Sequence, residues 1–144
     1  MAAVYTATAV ATGEGRAGGR AQSDDGQLDV TLAVPTGLGG PGGGTNPEQL
    51  FAAGWASCFH SALKSVAARE KVTLRDSAVV AHVGLLALET GYTIEAALDV
   101  EIGGLPQAEA ERLVHLAHQV CPYSNATRGN VEVRLTTTTD DADR

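Results

Sequence analysis

Residues 47–69, PEQLFAAGWASCFHSALKSVAAR, constrain the fold more than any other stretch of the chain. Asn46 offers a cap, Pro47 fits the first helical position, Glu48 makes the first turn acidic and Gln49 stands third. These signals predict a helix that runs to about Arg69. It is apolar nearly all round until Lys64, so its first four turns should form the buried axis of the fold, with Cys58 in the buried part. A chain of 144 residues, 44% hydrophobic, suits one globular domain over 1–144. Only 4% of its residues are aromatic, so Ala, Val and Leu must build most of the cover.

The flanking sequence supplies sheets. Residues 4–12 and 27–34 alternate and carry Val and Thr, and the turn-forming GEGRAGG and SDDG lie between them. This predicts a hairpin with a wide loop. Residues 35–46, PTGLGGPGGGTN, can propagate neither helix nor strand and should be a loop that wraps a functional surface. Residues 78–88 and 92–102 read as a second hairpin turning at Thr90-Gly91, with Glu95, Asp99 and Glu101 facing solvent. Pro106 opens another helix with Leu105, Leu113, Leu116, Ala117 and Val120 on one stripe, and Pro122 ends it at about Val120. A loop over 122–130 leads to a last strand, VEVRLTTTT, and the tail DDADR is too charged and short to order itself. The order β-β-α-β-β-α-β defines an α+β chain.

Charge narrows the partners. Ten basic against seventeen acidic side chains leave a net charge of -7, which repels phosphate backbones and anionic lipid surfaces. No stretch of roughly 20 apolar residues offers a membrane span, and the N-terminus lacks the pattern of a secretory leader. The expectation is a cytoplasmic protein without nucleic-acid or membrane partners.

In that setting two cysteines are either buried thiols or a redox pair. A redox-active cysteine works as a thiolate, and a free Cys of pKa ~8.5 is mostly protonated at neutral pH. Cys58, in mid-helix, has no helix N-terminus of its own and burial raises its pKa, so a cation must come from elsewhere. The N-terminal glycine-rich loop offers Arg16 and Arg20. Cys121 faces the negative end of its helix dipole, which suits a thiol that attacks second.

Two blocks, GLGGPGGGTNPEQLFAAGWASCF and VCPYSNATRGNVEV, closely resemble the signatures of the organic hydroperoxide resistance family in the OsmC/Ohr superfamily. YTATAVATG and SDDGQLDV extend the resemblance over nearly the whole chain. It implies an OsmC-like fold: a long buried cysteine helix packed on antiparallel sheets, in an intertwined homodimer whose active sites lie at the interface. It implies a peroxidase that reduces alkyl and lipid hydroperoxides to alcohols in oxidative stress defence. Cys58 matches the peroxidatic cysteine and Cys121 the resolving one. Glu48 matches the Glu that orients a thiolate-holding Arg. Arg16 takes the Arg role, with Arg20 as substitute because TGEGRAGGRAQS is about two residues longer than the family loop. The reductant implied is external, dihydrolipoamide or a lipoylated protein, with no bound cofactor and no metal.

Phe51, Trp55 and Phe59 recur at i, i+4 and i+8, a core or dimer-interface stripe that would also wall a pocket for apolar hydroperoxide tails together with Leu38. Two rival readings use the same thiols. A metal-binding module would join Cys58 and Cys121 to His60, His115 or His118. A Cys-His acyl-transfer enzyme would need His60 or His118 beside Cys58, although His60 lies about 200° round the helix from it. The glycine loop lacks the Gly-Lys-Ser/Thr of a phosphate loop. Glu48 and Cys58 are ten residues apart, about 15 Å along a continuous helix, so an Arg oriented by Glu48 would reach Cys58 most simply from the other subunit.

Overall fold

The computed structural model describes residues 1–140, and the chain divides into two compact units, Met1–Leu50 and Phe51–Arg144. In the first, β1 (Ala9–Gly13), β2 (Gly19–Ser23) and β3 (Asp29–Leu32) form one antiparallel sheet in that order. The sequence predicts two strands here, and the structure has three. The wide loop holds β2, whose residues Gly-Arg-Ala-Gln-Ser carry no β-branched side chain and stand between two turn signals. Register is set by the close approach of β1 and β2, since a Cβ on Gly19 would lie 2.1 Å from the Thr12 carbonyl oxygen. Residues 4–8 lie outside the strand.

The glycine-rich loop is folded back on β3. Thr45 N–H donates to the Thr31 carbonyl (2.9 Å) and Ala33 N–H to that of Thr45 (3.0 Å). Gly40 is required by close packing, because a Cβ there would sit 2.3 Å from the Val34 oxygen and 2.5 Å from its side chain. The loop ends at Asn46, whose side-chain oxygen accepts the Gln49 N–H at 2.9 Å and caps α1 (Pro47–Arg69) as predicted. Gln49 turns its own side chain to the Thr45 hydroxyl (2.7 Å).

The second unit is built on β4 (Asp76–Leu88) and β5 (Gly91–Gly103), a hairpin paired along its whole length and turning at Glu89-Thr90. Alternate residues of β5, Ala96, Leu98, Val100 and Ile102, face inward. Two helices supply the other side of the core: Trp55, Phe59, Leu63 and Val66 of α1, and Ala110, Leu113, Val114 and Ala117 of α2 (Gln107–Val120). In α1 the fully buried positions begin at Trp55. The first two turns are only half-covered, so the expected burial all round is not found within one chain. Val120, placed on the α2 stripe, is 40% exposed, and Ala110 and Val114 occupy the inner face instead.

After α2 comes α3 (Pro122–Thr127), in the segment predicted as loop, and then β6 (Val133–Asp140). β6 pairs with β5 in parallel, which corrects the expectation of wholly antiparallel sheets. A parallel neighbour needs a long crossover, and α2 with α3 provides it. The α+β class holds. Of the tail, Asp140 closes β6 and residues 141–144 lie outside the described residues.

Candidate active site

Cys58 and Cys121 are both free thiols, the first half-buried and the second fully buried. They are neighbours in the second unit, near enough for Cys121 to act on the Cys58 thiol. Cys121 stands at a joint between two helices. Its N–H donates to the Ala117 carbonyl (2.8 Å), closing α2, and its carbonyl accepts the Asn125 N–H (2.9 Å), opening α3. Pro122 therefore ends one helix and occupies the first position of the next. The dipole argument made for Cys121 counted only the first of these helices.

Side chains staple the joint. Arg128 donates to the His118 carbonyl and to the Asn125 side chain, both at 2.6 Å. His118 Nδ1 and the buried Ser124 hydroxyl share a hydrogen bond of 2.8 Å. Burial is the main influence holding the His118 pKa below the usual range, and neighbouring Arg128 and His115 add to it.

Burial pushes the Cys58 thiol up, the Tyr123 backbone N–H pulls it down, and Cys121 raises it. None of these three is a cation. Burial raises Cys58 as expected, and Tyr123 in the first turn of α3 adds a backbone donor.

Tyr123 is also the site residue that pattern reading missed. Its ring packs edge-on against Phe51 (centroids 5.6 Å) and tilted against Trp55 (6.3 Å), with its hydroxyl over Gly54. Phe51, Tyr123, Ala126 and Thr127 line a shallow cavity of about 220 Å³. An aromatic residue two positions after the second cysteine was the available signal. Trp55 and Phe59, expected as pocket walls, are fully buried in the core, where Phe59 faces the His118 ring. Phe51 alone of the three lines the cavity. The Trp55 indole N–H is buried with no acceptor among the described residues.

In the first unit Arg16 lies in a 3-10 turn, Gly15–Ala17, and its two terminal nitrogens each donate to a Glu48 oxygen at 2.8 Å. That ion pair is the main cause holding the Glu48 carboxyl below its ordinary pKa. Arg20, the substitute, pairs with Asp29 on the neighbouring strand at 2.8 and 2.7 Å. Leu38 is 58% exposed in the 3-10 turn Thr36–Leu38 of the glycine loop. His60 is engaged with the Ser77 hydroxyl at 2.8 Å. Among the described residues no three metal-ligating side chains gather, and no helix is long and apolar enough to cross a membrane.

Two free thiols, one on a long helix and one at a helix joint, in an α+β chain with two three-stranded sheets, define a two-cysteine protein. A family model described as "OsmC-like protein" matches residues 40–136. The chain is 53% identical over 135 residues to the organic hydroperoxide resistance protein of Xanthomonas axonopodis pv. citri, covering 92% of this chain and 94% of that one. Among solved structures, an organic hydroperoxide resistance protein OsmC of Legionella pneumophila superposes with a TM-score of 0.89 at 49% identity, covering 95% of this chain and 99% of that one. One from Elizabethkingia anophelis, with crystallant-derived thiocyanate bound, reaches 0.91 at 45% identity, covering 97% and 100%. The chain belongs to the organic hydroperoxide resistance family of OsmC-like proteins.

Proposed function

We propose that this chain is a cytoplasmic thiol peroxidase that reduces organic hydroperoxides to alcohols and serves in resistance to oxidative stress. The observation that carries the reading is two neighbouring free thiols, on a chain of this family. The Cys58 thiolate attacks the distal peroxide oxygen, the O–O bond breaks, and the alkoxide takes a proton and leaves as alcohol while Cys58 becomes a sulfenic acid. The Cys121 sulfur then attacks the Cys58 sulfur, and the sulfenic oxygen departs with the Cys121 proton as water. A dithiol reopens the disulfide by exchange and is itself oxidised to a disulfide. Its class is dihydrolipoamide or a lipoylated protein, as the family resemblance implies.

Burial raises Cys58, so the thiolate needs a cation, and the guanidinium of Arg16, oriented by Glu48, fills that role and donates to the departing oxygen. In a homodimer those two residues come from the partner. Phe51 and Tyr123 offer apolar surface for an alkyl tail.

The test is hydroperoxide consumption with dihydrolipoamide, comparing tert-butyl hydroperoxide with hydrogen peroxide. Cys58→Ser abolishes turnover, and Cys121→Ser consumes about one equivalent before stalling, as the oxidation ladder of a lone thiol requires. Equal loss of single-turnover thiol chemistry in both variants would overturn the division of roles. Equal kcat/KM for the two peroxides would remove the apolar pocket.

A further inference from the structure

Gly54 sits inside α1, where glycine is the weaker helix former and where Ala52, Ala53 and Ala56 show that alanine suits its neighbours. The reason for glycine lies in its neighbour on α3. A Cβ on Gly54 would stand 2.9 Å from the Tyr123 hydroxyl and 3.3 Å from two of its ring carbons. The ring packs against Phe51 and Trp55, and the Tyr123 carbonyl accepts the Thr127 hydroxyl at 2.8 Å, which ties the residue's backbone to α3. Gly54 and Cys58 are four residues apart and share a helix face. The same short segment that places Tyr123 over Gly54 carries Cys121, two residues earlier, with its thiol fully buried.

We propose that Gly54 is a positioning residue for disulfide closure: the gap it leaves seats the Tyr123 ring and so fixes the approach of the Cys121 thiol to Cys58. The inference rests on the two-thiol cycle proposed above. In the step concerned, the Cys121–Cys58 S–S bond forms, the S–O bond of the sulfenic acid breaks, and water leaves. A disulfide tolerates alpha carbons only ~4.4–6.8 Å apart, so displacing the seat by a fraction of an ångström to an ångström acts on closure before it acts on the peroxide step.

The experiment oxidises each variant with one equivalent of tert-butyl hydroperoxide, quenches with an alkylating agent at intervals, and reads sulfenic acid, disulfide and sulfinic acid by intact mass. Gly54→Ala should slow closure about tenfold or more, a penalty typical of slight misplacement, with a smaller change in sulfenic acid formation. Under excess peroxide its Cys58 should accumulate as sulfinic acid. Tyr123→Ala introduces no clash and should also slow closure. Adding Gly54→Ala to Tyr123→Ala should change closure by less than about twofold, since the ring that transmits the effect is gone. Wild-type closure in Tyr123→Ala, or in a folded Gly54→Ala, overturns the proposal. So does an undiminished Gly54→Ala effect in the Tyr123→Ala background. A wild-type protein that leaves Cys58 reduced overturns the peroxidase reading and this proposal with it, whereas normal wild-type chemistry with unaffected variants overturns the seat alone.

Discussion

Glu48 stands in the first turn of α1, where the helix dipole favours a carboxylate, and it also accepts both terminal nitrogens of Arg16. Its folded pKa lies below the unfolded value, so the ion pair contributes fully above the ordinary Glu range of about 4.3 and is lost as pH falls through the depressed folded value. Glu48→Gln should therefore be less stable than wild type by a constant amount from pH 7 to about 5, and the gap should close in acid. Arg16 is 41% exposed, so solvent screening keeps that amount at about 1 kcal/mol or less. Urea midpoints across pH decide it; a gap that persists below the folded pKa would show that the pair is not its source. At this scale Cys58, Cys121 and Glu48 stood out from residue type and family resemblance, and the structure leaves both cysteines as free thiols. Arg16, placed ahead of Arg20 for the partner of Glu48, is the arginine that meets it, aimed by the 3-10 turn at Gly15–Ala17. Tyr123 escaped because its contacts are with Phe51 and Gly54, far away in sequence.

Among the elements, α1 was readable to both ends because its signals are local: an asparagine cap, a proline, and a run of helix formers. The β4–β5 hairpin was readable for the same reason. β2 and α3 were not. Both lack periodicity, and α3 opens with a proline that reads equally as the stop of α2 and the start of a new helix. The parallel entry of β6 beside β5 is a pairing choice that no local pattern encodes. The glycine loop divides its glycines by role, which gives a paired prediction. Gly37 has no positive φ and open space where a Cβ would go, so Gly37→Ala should stabilise the chain by about 0.4–1 kcal/mol through the unfolded state. Gly40→Ala would drive a methyl into Val34 and should destabilise by about 1–3 kcal/mol. Thermal denaturation of the two variants should move in opposite directions, and a shared direction would refute the assignment.

For the whole molecule, the half-covered first turns of α1 favour a site completed by a second chain. Mixing inactive Cys58→Ser chains with inactive Glu48→Ala chains should restore activity as subunits exchange, because each heterodimer would hold one intact site. Demonstrated exchange without recovery would eliminate the shared site.

The position of the two thiols also ties redox state to the energetics of unfolding. Cys58 and Cys121 meet in the fold from points separated by roughly 60 residues of chain, and a cross-link of that span removes about 4 kcal/mol of loop entropy from the unfolded state. Each catalytic turnover would then carry the protein between a more and a less robust form, with the resting dithiol the more vulnerable. A cell short of reductant would accumulate the sturdier, oxidised protein, and peroxide exposure itself would slow the chain's loss to unfolding and proteolysis.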